Sequence, residues 1–200
     1  MGTTIINPYR FAGGTQAVSW NSADKAANVT LSNSDMNAAA SAGGAWVGVR
    51  ATLGRSTDLF YWEMDVVLAN STSIIAGFMS SGANLQYPGQ SANGAGVRRA
   101  GKFCSGWTHA NTTAPGGTDT NGDRWMFAAN LNNGKLWCGV NNSWTSGDPA
   151  ADTTPWVTGV TGTIYPAVGF FATSATARLV VDAAQFSYSP PSGFSAWNIA

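Results

Sequence analysis

Nine consecutive residues, Phe60-Tyr61-Trp62-Glu63-Met64-Asp65-Val66-Val67-Leu68, constrain this chain more than any other stretch. In an extended chain Phe60, Trp62, Met64, Val66 and Leu68 fall on one side, and Tyr61, Glu63, Asp65 and Val67 on the other. Period two with one wholly apolar face predicts a half-buried antiparallel strand. Ile74-Ile75-Ala76-Gly77-Phe78-Met79 follows the polar turn Asn70-Ser71-Thr72-Ser73, and the two runs read as a hairpin. Trp125-Met126-Phe127-Ala128-Ala129 runs into the turn signal Asn132-Asn133-Gly134, and Lys135-Leu136-Trp137-Cys138-Gly139-Val140 returns from it. The last strands are read at Ile164 to Phe171, Ala177 to Val181, and Gln185 to Tyr188. Many short strands with Gly and Asn turns predict an all-β sandwich. One segment conflicts: Ser34 to Ala42 is Ala-rich behind a Ser N-cap, and propensity alone favours helix there.

A length of 200 residues fits one domain. Only 10% of the residues are charged, ten basic against ten acidic, so no basic surface directs the chain to nucleic acid. A hydrophobic content of 44%, with nine Trp, nine Phe and five Tyr, excludes a disordered chain. No apolar run approaches a membrane span. The start, Met1-Gly2-Thr3-Thr4-Ile5-Ile6, lacks the basic end and apolar core of a signal peptide, so synthesis in the cytoplasm without membrane insertion is expected. Cys104 and Cys138 read as two reduced, buried small hydrophobes, with a facing pair as the alternative. One His and two separated Cys give no zinc spacing, and the acidic residues form no calcium loop, so neither metal nor cofactor is expected. Ser91-Ala92-Asn93-Gly94-Ala95-Gly96 lacks the Gly-Lys-Ser/Thr ending of a phosphate loop and reads as a flexible surface loop.

Between about Ser80 and Gly122 the chain is long and polar, and a second loop runs from Asn141 to Thr163. These loops carry Tyr87, Arg98, Arg99, Trp107, His109, Trp144 and Trp156. Trp, Tyr and Arg concentrate contact energy at binding surfaces. Loops on a rigid sandwich often carry function, so these seven are the candidate ligand-binding residues. The more conservative reading makes each Trp a core or loop anchor and the two arginines a solvated pair, and it is the favoured one residue by residue. The segment Ile5-Ile6-Asn7-Pro8-Tyr9-Arg10-Phe11 reads either as an edge strand packed on the sandwich or as an arm that docks into a partner. Ile5, Ile6, Pro8, Tyr9 and Phe11 are its docking candidates. The division is then an arm over 1–25 and a sandwich over 26–200.

The order of motifs resembles a SPRY domain. Val29-Thr30-Leu31-Ser32-Asn33 opens the resemblance, and Val49-Arg50-Ala51-Thr52, Tyr61-Trp62-Glu63 and Ile75-Ala76-Gly77-Phe78 continue it. Gly122-Asp123-Arg124-Trp125 with Asn132-Asn133-Gly134-Lys135-Leu136-Trp137 is similar to the family's Gly-Asp hairpin. Asn141-Asn142 stands at its Asn-Gly position, with Asn142 in place of Gly. Tyr165-Pro166-Ala167-Val168, Val180 to Phe186, and Tyr188-Ser189-Pro190-Pro191-Ser192-Gly193-Phe194 complete the set, with Asp182-Ala183-Ala184 where the family usually has Asn-Phe-Gly. The resemblance covers about residues 26–200. It implies a SPRY-like bent antiparallel β-sandwich, jelly-roll-like, that acts as a binding module and not as an enzyme.

Ser146-Gly147-Asp148-Pro149-Ala150-Ala151 and the Pro-Pro-x-Gly-Phe-Ser-Ala-Trp ending resemble the versions found in bacteriophage virion proteins. The expectation is a phage structural protein, a head decoration, head fibre or tail fibre component, located in the virion. Its partners would be other capsid or tail proteins and a host cell-surface glycan or protein, with homo-oligomers open. The alternatives are a free cytosolic SPRY adaptor that binds a peptide and, more weakly, a carbohydrate-active enzyme. For the last, Glu63 and Asp65 share a strand face, as a glycosidase pair requires, but the resemblance puts Glu63, the only glutamate, in a structural strand. His109 has no nucleophile elbow nearby to make a triad.

Overall fold

The computed structural model describes residues 16–69, 73–171, 173 and 175–199. In chain order the strands are β1 (Trp20–Lys25), β2 (Val29–Ser32), β3 (Asn37–Ala40), β4 (Val47–Ala51), β5 (Leu59–Leu68), β6 (Ile74–Ser80), β7 (Gly94–Arg98) and β8 (Gly101–Ser105). They continue with β9 (Thr108–His109), β10 (Arg124–Asn130), β11 (Lys135–Val140), β12 (Ser143–Trp144), β13 (Val157–Thr158), β14 (Ile164–Phe170), β15 (Thr176–Val180) and β16 (Ser195–Ala196). The smaller sheet has the order β1-β4-β14-β6-β7-β8. The larger runs β2-β3-β15-β5-β10-β11-β13-β9, with β12 added to β11 and β16 to β5. All pairings are antiparallel except β16 with β5. The architecture is the all-β sandwich that the sequence predicts.

Alternation places the core. Trp62 of β5 stacks on Phe127 of β10 with ring centres 4.4 Å apart. Phe78 of β6 meets both rings edge-on from the opposite sheet at 5.9 Å. Edge and face contacts of this kind add about 0.5–1.5 kcal/mol per pair beyond the area they bury. Trp20, Trp125, Trp156 and Trp197 are also fully enclosed. The Asn132–Gly134 signal closes the β10–β11 hairpin, in which Asn130 pairs with Lys135 and Gly134 adopts φ 62.

Four local expectations change. β5 and β6 do not form a hairpin, because β5 lies in the large sheet and β6 in the small one. Both strands are buried almost throughout, so each needs partners on both edges, and crossing between sheets supplies them. Ser34 to Ala42 is not helical. Asn33, Ser34 and Asp35 turn with φ of 54, 53 and 61, and β3 follows with Ala38 and Ala40 pointing into the core. Pairing β3 between β2 and β15 outweighs alanine propensity, since an isolated helix of this length is marginal.

Gln185 to Tyr188 is not a strand. A 3₁₀ turn over Ala183–Gln185 is capped by Asp182, which accepts from the Ala184 N–H at 3.0 Å. The Ser187 and Tyr188 N–H groups then serve Glu63 instead of a ladder. The glycine-rich stretch is not a flexible loop, because Gly94, Ala95 and Gly96 are buried in β7. Trp20–Lys25, at the end of the stretch read as an arm, forms β1 and pairs with β4. Ile5, Ile6, Pro8, Tyr9 and Phe11 lie outside the described residues.

Candidate functional site

Each sheet turns one face away from the shared core, and the two outer faces are built differently. On the large sheet, Tyr61, Met126, Ala128 and Trp137 point outward and are sealed by Phe186, Tyr188 and Phe194 of the C-terminal segment. Glu63 sits under this cover with no exposed surface. Its carboxylate accepts from the Tyr61 hydroxyl at 2.7 Å, from the Ser187 and Tyr188 N–H groups at 2.9 and 3.0 Å, and from the Arg124 guanidinium at 2.8 Å. A buried carboxylate with four donors is fully satisfied, and no oxygen is left for a substrate. Burial and the bond to Glu63 push the Tyr61 phenol far up. The Glu63–Asp65 pair therefore joins strands and is not laid out as a glycosidase pair.

On the small sheet, glycine governs the outer face. Gly48 of β4 and Gly169 of β14 are in register, as are Gly77 of β6 and Gly96 of β7. The loop after β6 packs against Gly48, Gly169 and Gly96. A Cβ on Gly169 would collide with the Gln86 carbonyl and the Tyr87 side chain, and one on Gly96 with the Pro88 carbonyl. Bare backbone lets this loop approach closely and fixes Tyr87 on the sheet. Tyr87 touches Trp46 with ring centres 4.8 Å apart and Phe103 at 5.6 Å, and Trp46 continues to Phe171 at 5.5 Å. Phe171 is 43% exposed, and Trp46, Tyr87 and Phe103 are half-buried. The Arg98 guanidinium lies 5.3 Å from the centre of the Phe103 ring. Trp46, Ile75, Tyr87, Arg98 and Phe103 line a cavity of about 90 Å³.

The seven residues singled out in the sequence separate into three places. Tyr87 and Arg98 belong to this aromatic face. Arg99 points elsewhere, to Asp123 at 2.7 Å and over the Trp125 ring at 5.8 Å. With Trp144, Pro115 and Ser143 it lines a cleft of about 260 Å³. Trp107, His109 and Trp156 lie at the β9–β13 edge of the large sheet. There Trp156 is fully buried and donates its indole N–H to His109 Nε2 at 3.2 Å. Receiving that proton fixes His109 as the Nδ1–H tautomer. Burial, and then the Lys102 charge, lower its pKa. Lys102 is itself buried, 6.0 Å from the Trp156 ring centre, and burial lowers its pKa. Arg98, Arg99 and Lys102 are thus neighbours in sequence but not one basic surface.

Cys104 and Cys138 are free thiols, and burial lifts Cys138 to about 11, which keeps it protonated. Trp46, Phe103 and Phe171 are the members of the aromatic face that loop-based reasoning missed. Trp46 and Phe171 flank paired strand ends, Val47 opposite Phe170, and their meeting requires the pairing register.

No protein-family model matches the chain, and no curated protein sequence matches it. Solved structures do. The SPRY domain of human HERC1 is 12% identical, with the match covering 81% of this chain and 97% of that one at a TM-score of 0.62. The TRIM65 PSpry domain is 13% identical over 84% of this chain and 93% of that one, at 0.59. The stonustoxin structure is 15% identical over 82% of this chain and 27% of that one, at 0.55. At such identities backbones agree while site side chains need not. The chain has the SPRY fold, an antiparallel β-sandwich of the type that those domains share.

Proposed function

We propose that this chain is a non-enzymatic binding module that engages its ligand through the outer face of the small sheet. The observation that carries this reading is the Trp46–Tyr87–Phe103–Phe171 cluster with Arg98, half-exposed on a backbone fixed by Gly48, Gly169 and Gly96. Large aromatic rings on a rigid support give contact area at low entropy cost. The fold supports the binding role by analogy, since fold alone does not assign function. The motifs at Ser146–Ala151 and in the C-terminal segment, which resemble phage versions, support a place on a bacteriophage particle. There the module acts as a head decoration or fibre component. Ile5, Ile6, Pro8, Tyr9 and Phe11 dock it to capsid or tail proteins, and the aromatic face points to the host surface.

Two measurements test the two halves. Mass spectrometry of purified phage particles is expected to find the chain at structural copy number, and its absence from particles would refute the virion role. Trp46→Ala is expected to abolish binding of the labelled protein to host cells while the circular dichroism spectrum stays unchanged. Undiminished cell binding by that folded variant would refute the assigned face.

A further inference from the structure

Between β9 and β10 the chain crosses residues 111–120 without joining a ladder. One end is tied where the Ala110 and Asn111 N–H groups donate to the Trp156 carbonyl, the other where the Thr120 N–H donates to Asp123. Midway, the Gly116 N–H donates to the Arg99 carbonyl at 2.9 Å, and the Arg99 guanidinium reaches the Gly116 carbonyl at 3.5 Å. Of residues 111–120 only Asp119 is buried. Ala114 and Pro115 of this loop form one wall of the cleft of about 260 Å³, with Arg99, Ser143 and Trp144 among the others.

Asp119 is an unusual anchor. Its side chain is 1% exposed, yet neither carboxylate oxygen has a hydrogen-bond partner among the described residues. Buried carboxylates are normally bonded, as Glu63 is by four donors. The neighbours of Asp119 are committed or misplaced. Arg99 Nε stands 3.8 Å from Oδ1 and is itself unpartnered, while Arg99 Nη2 is bonded to Asp123 at 2.7 Å. The Trp125 indole N–H beside it is also unpartnered. The charged groups acting on Asp119 are Arg99 of the β7–β8 turn, Asp123 ahead of β10 and, most weakly, Arg98 of β7.

Such a site suits a neutral carboxyl. An ionised one gives up its hydration and finds no bonded donor in exchange, and the Asp123 carboxylate sharing the same arginine adds to the cost. Burial accordingly lifts Asp119 from 3.8 to about 6. With the loop undocked, the side chain meets water and the ordinary value returns. The docked loop therefore binds the proton more tightly. Its docking is fully supported below about 3.8 and loses that support as pH rises through about 6.

We propose that Asp119 is a proton-operated latch: its protonated side chain holds the 111–120 loop against Arg99 and Trp125, and its ionisation releases the loop and opens the cleft walled by Pro115, Arg99 and Trp144. The latch shares no residue with the Trp46–Tyr87–Phe103–Phe171 cluster, so it stands or falls independently of ligand binding there.

The test follows amide hydrogen exchange of Gly116 in the whole chain between about pH 4 and 8, corrected for the intrinsic rate. Its protection is expected to fall about a hundredfold, the ratio set by proton affinities at 3.8 and about 6. The opening should be insensitive to low urea, as a local event is, whereas Phe127 in β10 should exchange through urea-sensitive unfolding. Asp119→Asn, an uncharged equivalent of the protonated acid, should keep Gly116 protection constant across the range. Side-chain carbon NMR of the wild type needs no variant, and there Asp119 should titrate with a midpoint near 6. A midpoint at or below 3.8 overturns the proposal, as does wild-type Gly116 protection that ignores pH. A pH-dependent fall that survives in folded Asp119→Asn overturns it too. So does Gly116 exchange with the urea dependence of Phe127, since Asp119 would then act on the whole fold and not on the loop.

Discussion

The two outer faces of this sandwich solve the same problem in opposite ways. A sheet whose outer side carries aromatic residues must cover them. The large sheet does so with its own C-terminal segment, which caps Tyr61 and Trp137 and gives Glu63 two backbone donors. The small sheet is crossed by a loop that approaches only where glycine leaves room, and the rings beside that loop stay half-exposed. On the large sheet Glu63 is buried and paired with Arg124, whereas on the small sheet Arg98 has no hydrogen-bond acceptor among the described residues. A polar group completed from within the chain serves the fold.

The sharpest way to break this contrast is to remove one charge from each face. Glu63→Ala leaves the Arg124 guanidinium, the Tyr61 hydroxyl and two N–H groups without their acceptor. It should cost about 3–5 kcal/mol in urea unfolding. Arg98→Gln should cost about 0.5 kcal/mol or less in the same experiment. Similar losses in the two variants would erase the distinction between a structural and a ligand-facing charge.

A second substitution tests the glycine support. Gly169→Ala places a methyl group against the Gln86 carbonyl and Tyr87. Overpacking of this kind is expected to cost about 1–3 kcal/mol and to shift the fluorescence of Trp46, which touches Tyr87. A variant with wild-type stability and spectrum would show that the loop is not held by close backbone approach.

The Arg99 cleft supplies a contrast with Arg98 through pH. Asp119 is buried with its Oδ1 3.8 Å from the Arg99 Nε, and neither carboxylate oxygen has a hydrogen-bond partner among the described residues. Burial lifts its pKa from 3.8 to about 6, against the opposing Arg99 charge. The folded state therefore binds the Asp119 proton more tightly than the unfolded state. The stability this confers is complete below about 3.8 and is lost as pH rises through about 6. Asp119→Asn should flatten stability between those values and raise it at pH 7 by about 1–2 kcal/mol. Denaturation midpoints across that range check the sign, and a variant less stable at pH 7 would contradict it.

The smallest effect is expected at the Asn141-Asn142 turn between β11 and β12, where φ is 50 and 65. Asn142→Gly suits that left-handed geometry and should stabilise by a few tenths of a kcal/mol, with the aromatic face unaffected.

How much of this was legible in the sequence follows from which interactions are local. β5 and the β10–β11 hairpin were readable because alternation and the Asn132–Gly134 turn are properties of adjacent residues. The assignment of β5 and β6 to different sheets was not, because a doubly buried strand has the same sequence pattern in either sheet. Ser34 to Ala42 misled because alanine carries helix propensity, while its burial as Ala38 and Ala40 depends on strands from elsewhere in the chain. The site was half-readable for the same reason. Tyr87 and Arg98 stood out as unusual residues in a polar stretch, whereas Trp46 and Phe171 become a site only when β4 and β14 align. Trp156 resembled a loop aromatic, but its indole is enclosed and bonded to His109.

The central claim is that ligand recognition belongs to the incomplete face of the small sheet. It is tested most directly by displaying wild-type protein and the Trp46→Ala/Arg98→Gln double variant on one array of acidic glycans, neutral glycans and peptides. The account predicts that wild type captures ligands on the array and that the folded double variant loses them. An unchanged pattern of captured ligands in the double variant would contradict it.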